Sequence, residues 1–207
     1  MEDILDVYTR KYDKKRPLVC MDEVPCQLIG ETRQPIPAKK GKPSQYDYEY
    51  KRNGTCAVFM FVAPLQPWRR AEATEQRTKM DWAYQIKKLV TVDFPDAQKI
   101  VLVLDNLNTH TIGSLYKAFP AEEARQIRDK LEIHYTPKHG SWLNMAEIEI
   151  NVLVNYGLSK RVSSMRQMRK EISAWNNARN KTAKKINWRF TTEDARIKLK
   201  RLYPLFV

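Results

Sequence analysis

Apolar residues in this chain gather into short unbroken runs, each closed by a polar residue. The clearest is Ile100-Val-Leu-Val-Leu104, which reads as a strand buried on both faces, with Asp105 as the first residue beyond it. Arg16-Pro-Leu-Val-Cys-Met-Asp22 repeats the pattern, a buried strand expected to end at an acid. A third run, Thr55 to Ala63, follows Asn53-Gly54, a hairpin-turn signal. Pro64 to Pro67 then turns the chain, and Trp68 to Thr74 is expected to return antiparallel with Arg69 and Arg70 near its start. Trp82, Ile86 and Leu89 fall at helical spacing over residues 79–92, and Asp93 to Asp96 stops that helix. Shorter helices are expected over 2–10, with Ile4, Leu5 and Tyr8 on one side, over 111–118, and from Pro120 to Lys130, where Glu122 and Glu123 come early. Residues 132–135 read as a short strand and 144–157 as a helix. The order strand, hairpin, helix, strand, helix, strand, helix predicts an α/β fold with a mixed central sheet flanked by helices.

That order suits the ribonuclease-H-like fold, and 207 residues are enough for one sizeable core with a small extension. The expected division is a linker helix and connector over 1–15, a catalytic α/β domain over 16–160, and a basic helical extension over 161–207 packed on it. Charge changes the picture most. Lys and Arg number 37 against 24 acids, a net +13, and residues 151–207 carry 14 of those cations against three acids. Such a concentration favours a polyanionic partner, double-stranded DNA first. Within the extension, Met165, Met168, Ile172 and Trp175 keep helical spacing, Asn176, Asn177 and Asn180 interrupt it, and a last helix is expected over 186–196 with Thr192 as its cap. Residues 31–54 have no period. With Lys39, Lys40, Lys42, Lys51 and Arg52, and with alternating Tyr46, Tyr48 and Tyr50, they read equally as a solvated linker with one edge strand or as a nucleic-acid contact loop.

No apolar run approaches the roughly 20 residues of a spanning helix, and the first residues are acidic where a signal peptide would be basic. A cytoplasmic, nucleoid-associated protein without membrane partners is expected. Cys20, Cys26 and Cys56 are odd in number and lack CxxC spacing, so they read as reduced structural thiols rather than a zinc site.

Candidate chemistry lies with three acids. Asp22 and Asp105 end buried strands, where ligands gather in α/β sheets. Glu147 has a structural reading as well, because Asn144-x-x-Glu147 resembles a capping box. On a helical wheel Glu147, Asn151 and Asn155 form one polar stripe, whereas Glu149 lies about 200° away inside the apolar arc. Glu147 is therefore the site candidate, Asn151 a supporting residue, and Glu149 a structural residue paired with a cation. Three oxygen donors on separate elements suit two hard ions, Mg2+ or Mn2+, that activate a nucleophile and stabilise a leaving oxygen in phosphodiester chemistry. In that arrangement Asp22 bridges both ions, Asp105 holds one and Glu147 the other. His110 is expected to fix the loop after Asp105 by a hydrogen bond. Lys138 and His139, together with Asn106, Lys39, Lys40 and Lys42, are candidate DNA contacts. Trp142 reads as a core anchor, and Glu23, expected to face away from Asp22, is left out.

Val19-Cys-Met-Asp22-Glu23, Leu102-Val-Leu-Asp105-Asn106-Leu-Asn-Thr-His110 and Tyr135-Thr-Pro-Lys-His-Gly-Ser-Trp-Leu-Asn-Met-Ala-Glu147 resemble the three catalytic blocks of bacterial insertion-sequence transposases of the mariner-related superfamily, which carry a DDE endonuclease domain. The stretch Trp188 to Arg196 is similar to that family too. The resemblance implies a ribonuclease-H-like fold, Mg2+-dependent cleavage at terminal inverted repeats and strand transfer into a target. It carries the three acids onto Asp22, Asp105 and Glu147, and implies a homodimer on DNA. Members of the family also carry an N-terminal helix-turn-helix region of roughly a hundred residues that reads the transposon ends. No room for one precedes Asp22, so the expectation is a catalytic fragment, a second reading frame with a separate helix-turn-helix partner, or a remnant. Two other readings remain open at this point: a ribonuclease-H-like structure-selective nuclease that does not transpose, and an inert DNA-binding remnant.

Overall fold

The computed structural model describes residues 1–182 and 184–203; residues 183 and 204–207 of the expected C-terminal extension lie outside the described residues. Five strands form one sheet in the order β3-β2-β1-β4-β5. They are β1 Leu18–Glu31, β2 Tyr50–Ala63, β3 Trp68–Thr74, β4 Ile100–Leu104 and β5 Leu131–Tyr135. The first three are an antiparallel meander, while β4 runs parallel to β1 and β5 parallel to β4. The mixed sheet expected from the order of elements is therefore present, with β1 at its centre.

Side-chain alternation along the strands divides the core in two. On one face Cys20, Val58, Met60, Val62, Val101 and Val103 pack with α1 (Glu2–Tyr8), α5 (Ala146–Val152) and α6 (Met165–Thr182). On the other, Val19, Met21, Phe59, Phe61, Leu102 and Leu104 pack with α2 (Lys79–Lys88), α3 (Ile112–Ala118) and α4 (Ala121–Asp129). A last helix, α7 (Thr192–Lys198), returns to α1 through Arg196–Glu2 and Thr192–Asp6 contacts. The helices α2 and α5 each run on into a wider π turn, Leu89–Asp93 and Leu153–Gly157. No helix among the described residues is long and apolar enough to cross a membrane.

Four local expectations are corrected. The first strand does not end at Asp22; β1 continues to Glu31 because β2 supplies a pairing partner along the whole length. Asn53-Gly54 is not the hairpin turn but sits inside β2, where the register slips between Gln27 and Ile29 and Gly54 takes a φ of 104°. The chain reverses instead near Gly41, φ 76°, between the bridged Lys39 and Lys42, so residues 32–49 form the end of a long arm. At the carboxyl end, residues 186–190 are not helical: Trp188 lies edge-on to Tyr8 and Phe190 edge-on to Trp142, and the cap of α7 is Thr191, which exchanges hydrogen bonds with Asp194. Trp142 is accordingly no core anchor, being 43% exposed.

The interrupting asparagines have a definite task. β3 is an outer strand, and α6 covers its free edge. Asn176 donates to the Ala71 carbonyl and accepts from its N–H, both at 2.8 Å, and Asn180 does the same for Arg69. Two side-chain amides one helical turn apart thus satisfy the backbone groups an edge strand leaves open. The arm is tied down at its root by Arg161, whose guanidinium donates to Glu31 and to the Glu49 and Asp47 carbonyls and stacks on Tyr46 and Tyr50. The directly opposed Cys26 and Cys56 are free thiols, both pushed up by burial.

Candidate active site

Parallel pairing of Cys20 with Val103 brings the next same-face positions, Asp22 and Asp105, side by side at the centre of the sheet. Helix α5 crosses this face, packing against β1 and β2, and Glu147 lies in its first turn. The structure thus brings together the three acids singled out in the sequence. Asp22 records the convergence: burial, and then the neighbouring Asp105, Glu23 and Glu147 carboxylates, push its carboxyl up to about 7 against the lowering effect of the Glu23 N–H. In a chain with net charge +13, neither Asp22 nor Glu147 has a Lys or Arg partner among the described residues.

Each acid is approached differently. Asp22 Oδ1 accepts from the Glu23 N–H at 2.8 Å, and Oδ2 lies 3.3 Å from Asn144 Nδ2. Asn144 is almost wholly buried; its amide also donates to the Met21 carbonyl at 2.8 Å, and its Oδ1 accepts from the Ala146 N–H at 3.1 Å. The alternative structural reading of Glu147, an Asn144–Glu147 capping box, is not formed: α5 begins one residue later, after Met145, and the Asn144 side chain is turned to the sheet. The sharp approach to α5 depends on Gly140, where a Cβ would stand 2.6 Å from Pro137 Cγ.

Asp105 is held by His110 Nδ1, as expected of that histidine. What the sequence did not reveal is the other side of the ring. His110 Nε2 lies 2.9 Å from Glu23 Oε2, and both side chains are almost completely buried. Glu23 does face away from Asp22, yet His110 reaches round the end of β4 and links the two faces, its ring stacked near Trp82 and its carbonyl accepting from Tyr135. Burial opposes charge on His110, but Asp105 and Glu23 outweigh it and raise the imidazole to about 9. The sequence signal was available: an acid directly after Asp22 in an otherwise apolar strand needs a buried partner.

The remaining candidates are exposed side chains. Asn106 is exposed beside Asp105, and Lys138 and His139 are exposed in the loop before α5, where His139 adopts a left-handed φ of 61°. Asn151 is exposed and its side chain bonds to Asn155. Lys39, Lys40 and Lys42 are exposed at the end of the arm. A groove of about 900 Å3 between the arm and the α5–α6 connection is lined by Ile36, Tyr46, Tyr156 and Arg161 and includes none of the acids.

As donors, the three carboxylates fit hard divalent cations. They converge without closing: among the described residues no three His, Cys, Asp or Glu side chains stand in a ready-made cage. The carboxylates gathered around Asp22, with no Lys or Arg paired to Asp22 or Glu147 among the described residues, are the feature that fits a cation.

A five-stranded mixed sheet in this order, with helices on both faces, is a ribonuclease-H-like fold. Residues 17–169 match the DDE superfamily endonuclease model, and the chain belongs to that family. No match was found among curated proteins. Among solved structures, the chain is similar to the Mos1 transposase paired-end complex with left transposon end, with a TM-score of 0.58 and 16% identity over 86% of this chain and 52% of that one. It is also similar to the Mos1 strand transfer complex, with a TM-score of 0.56 and 15% identity over 86% and 51% of the two chains. This chain spans about half the length of those structures.

Proposed function

We propose that this chain is the catalytic domain of a DNA transposase, hydrolysing a DNA phosphodiester and joining the freed 3′ end to a target, with Asp22, Asp105 and Glu147 as ligands of two Mg2+ ions that Mn2+ can replace. The observation that carries this reading is the convergence of three carboxylates from β1, β4 and α5 without a basic partner at Asp22 or Glu147. Bound there, the ions would lower the charge on the attacked phosphate and activate water or a 3′-hydroxyl. In this reading Asp22, on the middle strand, would be the ligand shared between the ions. Asn144 restrains one of its oxygens, and His110 restrains Asp105. Exposed lysines of the arm, with Lys138 and His139 before α5, would hold phosphates of double-stranded DNA. The Mos1 structures, which are a paired-end complex with a transposon end and a strand transfer complex, support extending the reading to transposon ends and strand transfer; a homodimer on DNA is part of the proposal.

The test is Asp105→Asn in the full chain with supercoiled DNA and Mg2+. Cleavage is expected to vanish while DNA affinity stays within about twofold, since one neutralised acid leaves the basic surface intact. Cleavage that survives in Asp105→Asn overturns the assignment. Product analysis decides between the two enzyme readings: joined ends with a target-site duplication mean transposition, and cut DNA alone means a nuclease.

A further inference from the structure

Two residues beyond Glu147 on the same helix, Glu149 is buried to 1% exposure and gripped by two guanidinium groups from different parts of the chain. Arg69 of β3 donates from Nε at 3.0 Å, and Arg179 of α6 donates from Nε at 2.8 Å and Nη2 at 2.9 Å, so Glu149 receives three charged hydrogen bonds. Burial works against its charge, but Arg179 and Arg69 outweigh it and hold the carboxyl below its ordinary range. Both arginines are themselves fixed. Arg69 spends its other nitrogens on the Gln66 and Lys184 carbonyls, its backbone is clasped by Asn180, and Arg179 precedes Asn180 on α6.

Such a buried arrangement is weak evidence for stability, because well-packed apolar residues of similar volume often serve equally well. What it supplies that apolar packing does not is direction. Helix α5 needs direction from outside: it has seven residues, a cap residue (Met145) whose side chain makes no capping bond, and a π turn directly after it. Asn144 ties the N–H of its first residue to the sheet, and its remaining anchors within the helix, Ala146, Ile150 and Val152, are apolar and fix no direction by hydrogen bonding. Residues i and i+2 of a helix point about 200° apart, so holding Glu149 toward β3 and α6 turns Glu147 toward the opposite side, that of β1, which carries Asp22. A roll of only 20° would carry a side chain at about 5.5 Å from the helix axis through roughly 2 Å. Working sites tolerate about 0.5 Å.

We infer that Arg69, Glu149 and Arg179 are positioning residues for Glu147, through which the long helix α6 sets the geometry of the metal site. This rests on the reading of Glu147 as a metal ligand, and the controls separate the two. Full-length wild type, Glu147→Gln, Glu149→Gln and Arg179→Lys are compared by Mn2+ binding, followed by electron paramagnetic resonance, and by steady-state cleavage of supercoiled DNA in Mg2+. Glu149→Gln keeps the volume but loses the bidentate carboxylate. In its folded form it is expected to lose at least tenfold in kcat and in Mn2+ affinity, with KM for DNA within twofold. Arg179→Lys, milder and partly exposed, is expected to lose three- to tenfold in both, and it carries the test if Glu149→Gln does not fold. A folded variant of either kind with wild-type kcat and Mn2+ affinity overturns the inference while the metal site stands. Unchanged Mn2+ affinity and cleavage in Glu147→Gln overturns the metal reading, and the inference with it.

Discussion

Asn144 and Asp22 belong to segments more than a hundred residues apart, yet the amide of one lies 3.3 Å from the carboxylate of the other while also donating to the Met21 carbonyl. One buried side chain thus locks the approach to α5 onto the strand that carries the central acid. Asn144→Ala strands a backbone carbonyl and an N–H and is expected to destabilise the fold by about 1–3 kcal/mol, read by urea unfolding. It also releases Asp22, so cleavage by the folded fraction should fall roughly 10- to 100-fold.

The Glu23–His110 contact makes a separate prediction. His110→Ala leaves the Glu23 carboxylate buried with only the partly exposed Arg77 at 3.8 Å, and should cost about 3–5 kcal/mol. Replacing both residues by Leu removes the charge along with its partner, so the double variant should be more stable than the sum of the single losses. A double-mutant cycle in urea should return a coupling of about 0.5–3 kcal/mol. Additive losses would show that the pair is merely adjacent.

Acid stability should depend on Glu132. Burial tends to raise this carboxyl, but Arg10, His134 and Arg16 outweigh it and hold it down at about 2. Unfolded, it titrates near its ordinary value of about 4.3. Between those values the unfolded chain binds more protons than the folded one. The contribution is therefore complete above about pH 5 and disappears as pH falls toward about 2. Glu132→Gln should flatten the stability curve across that window and lower stability at neutral pH, as measured by thermal unfolding at successive pH values.

Replacing Lys39, Lys40 and Lys42 together by Ala tests the arm. If each meets a phosphate, the slope of log affinity against log salt for duplex DNA should become shallower by roughly 0.9 per lysine. An unchanged slope would mean that the arm does not touch the backbone of the duplex. The fold should be unaffected, since all three side chains are exposed.

Much of this architecture could be read from hydrophobic patterning because β4 is an unbroken apolar run, β5 and the helices α2 and α6 are internally periodic, and all four pack as isolated elements would suggest. Asp105 stood out for a related reason, since it closes an unbroken apolar run and the chain turns polar after it. The errors lie where pairing overrides local signals. Asp22 is polar, yet β1 runs on because β2 lies alongside it; Asn53-Gly54 has turn chemistry, yet the ladder absorbs it as a bulge. Glu23, Asn144 and Arg179 owe their roles to partners distant in sequence, which no local period encodes. Asn176 and Asn180 broke a helical pattern for a reason visible only once β3 lay beside them.

One consequence follows from β1 being a single continuous strand from Leu18 to Glu31. Asp22 and the base of the basic arm share one nearly inextensible ribbon, nine residues apart, which at about 3.3 Å per residue amounts to roughly 30 Å. A long polymer touching both places would be measured as well as gripped, with the spacing between the bond at the acids and the stretch under the arm written into the length of that ribbon.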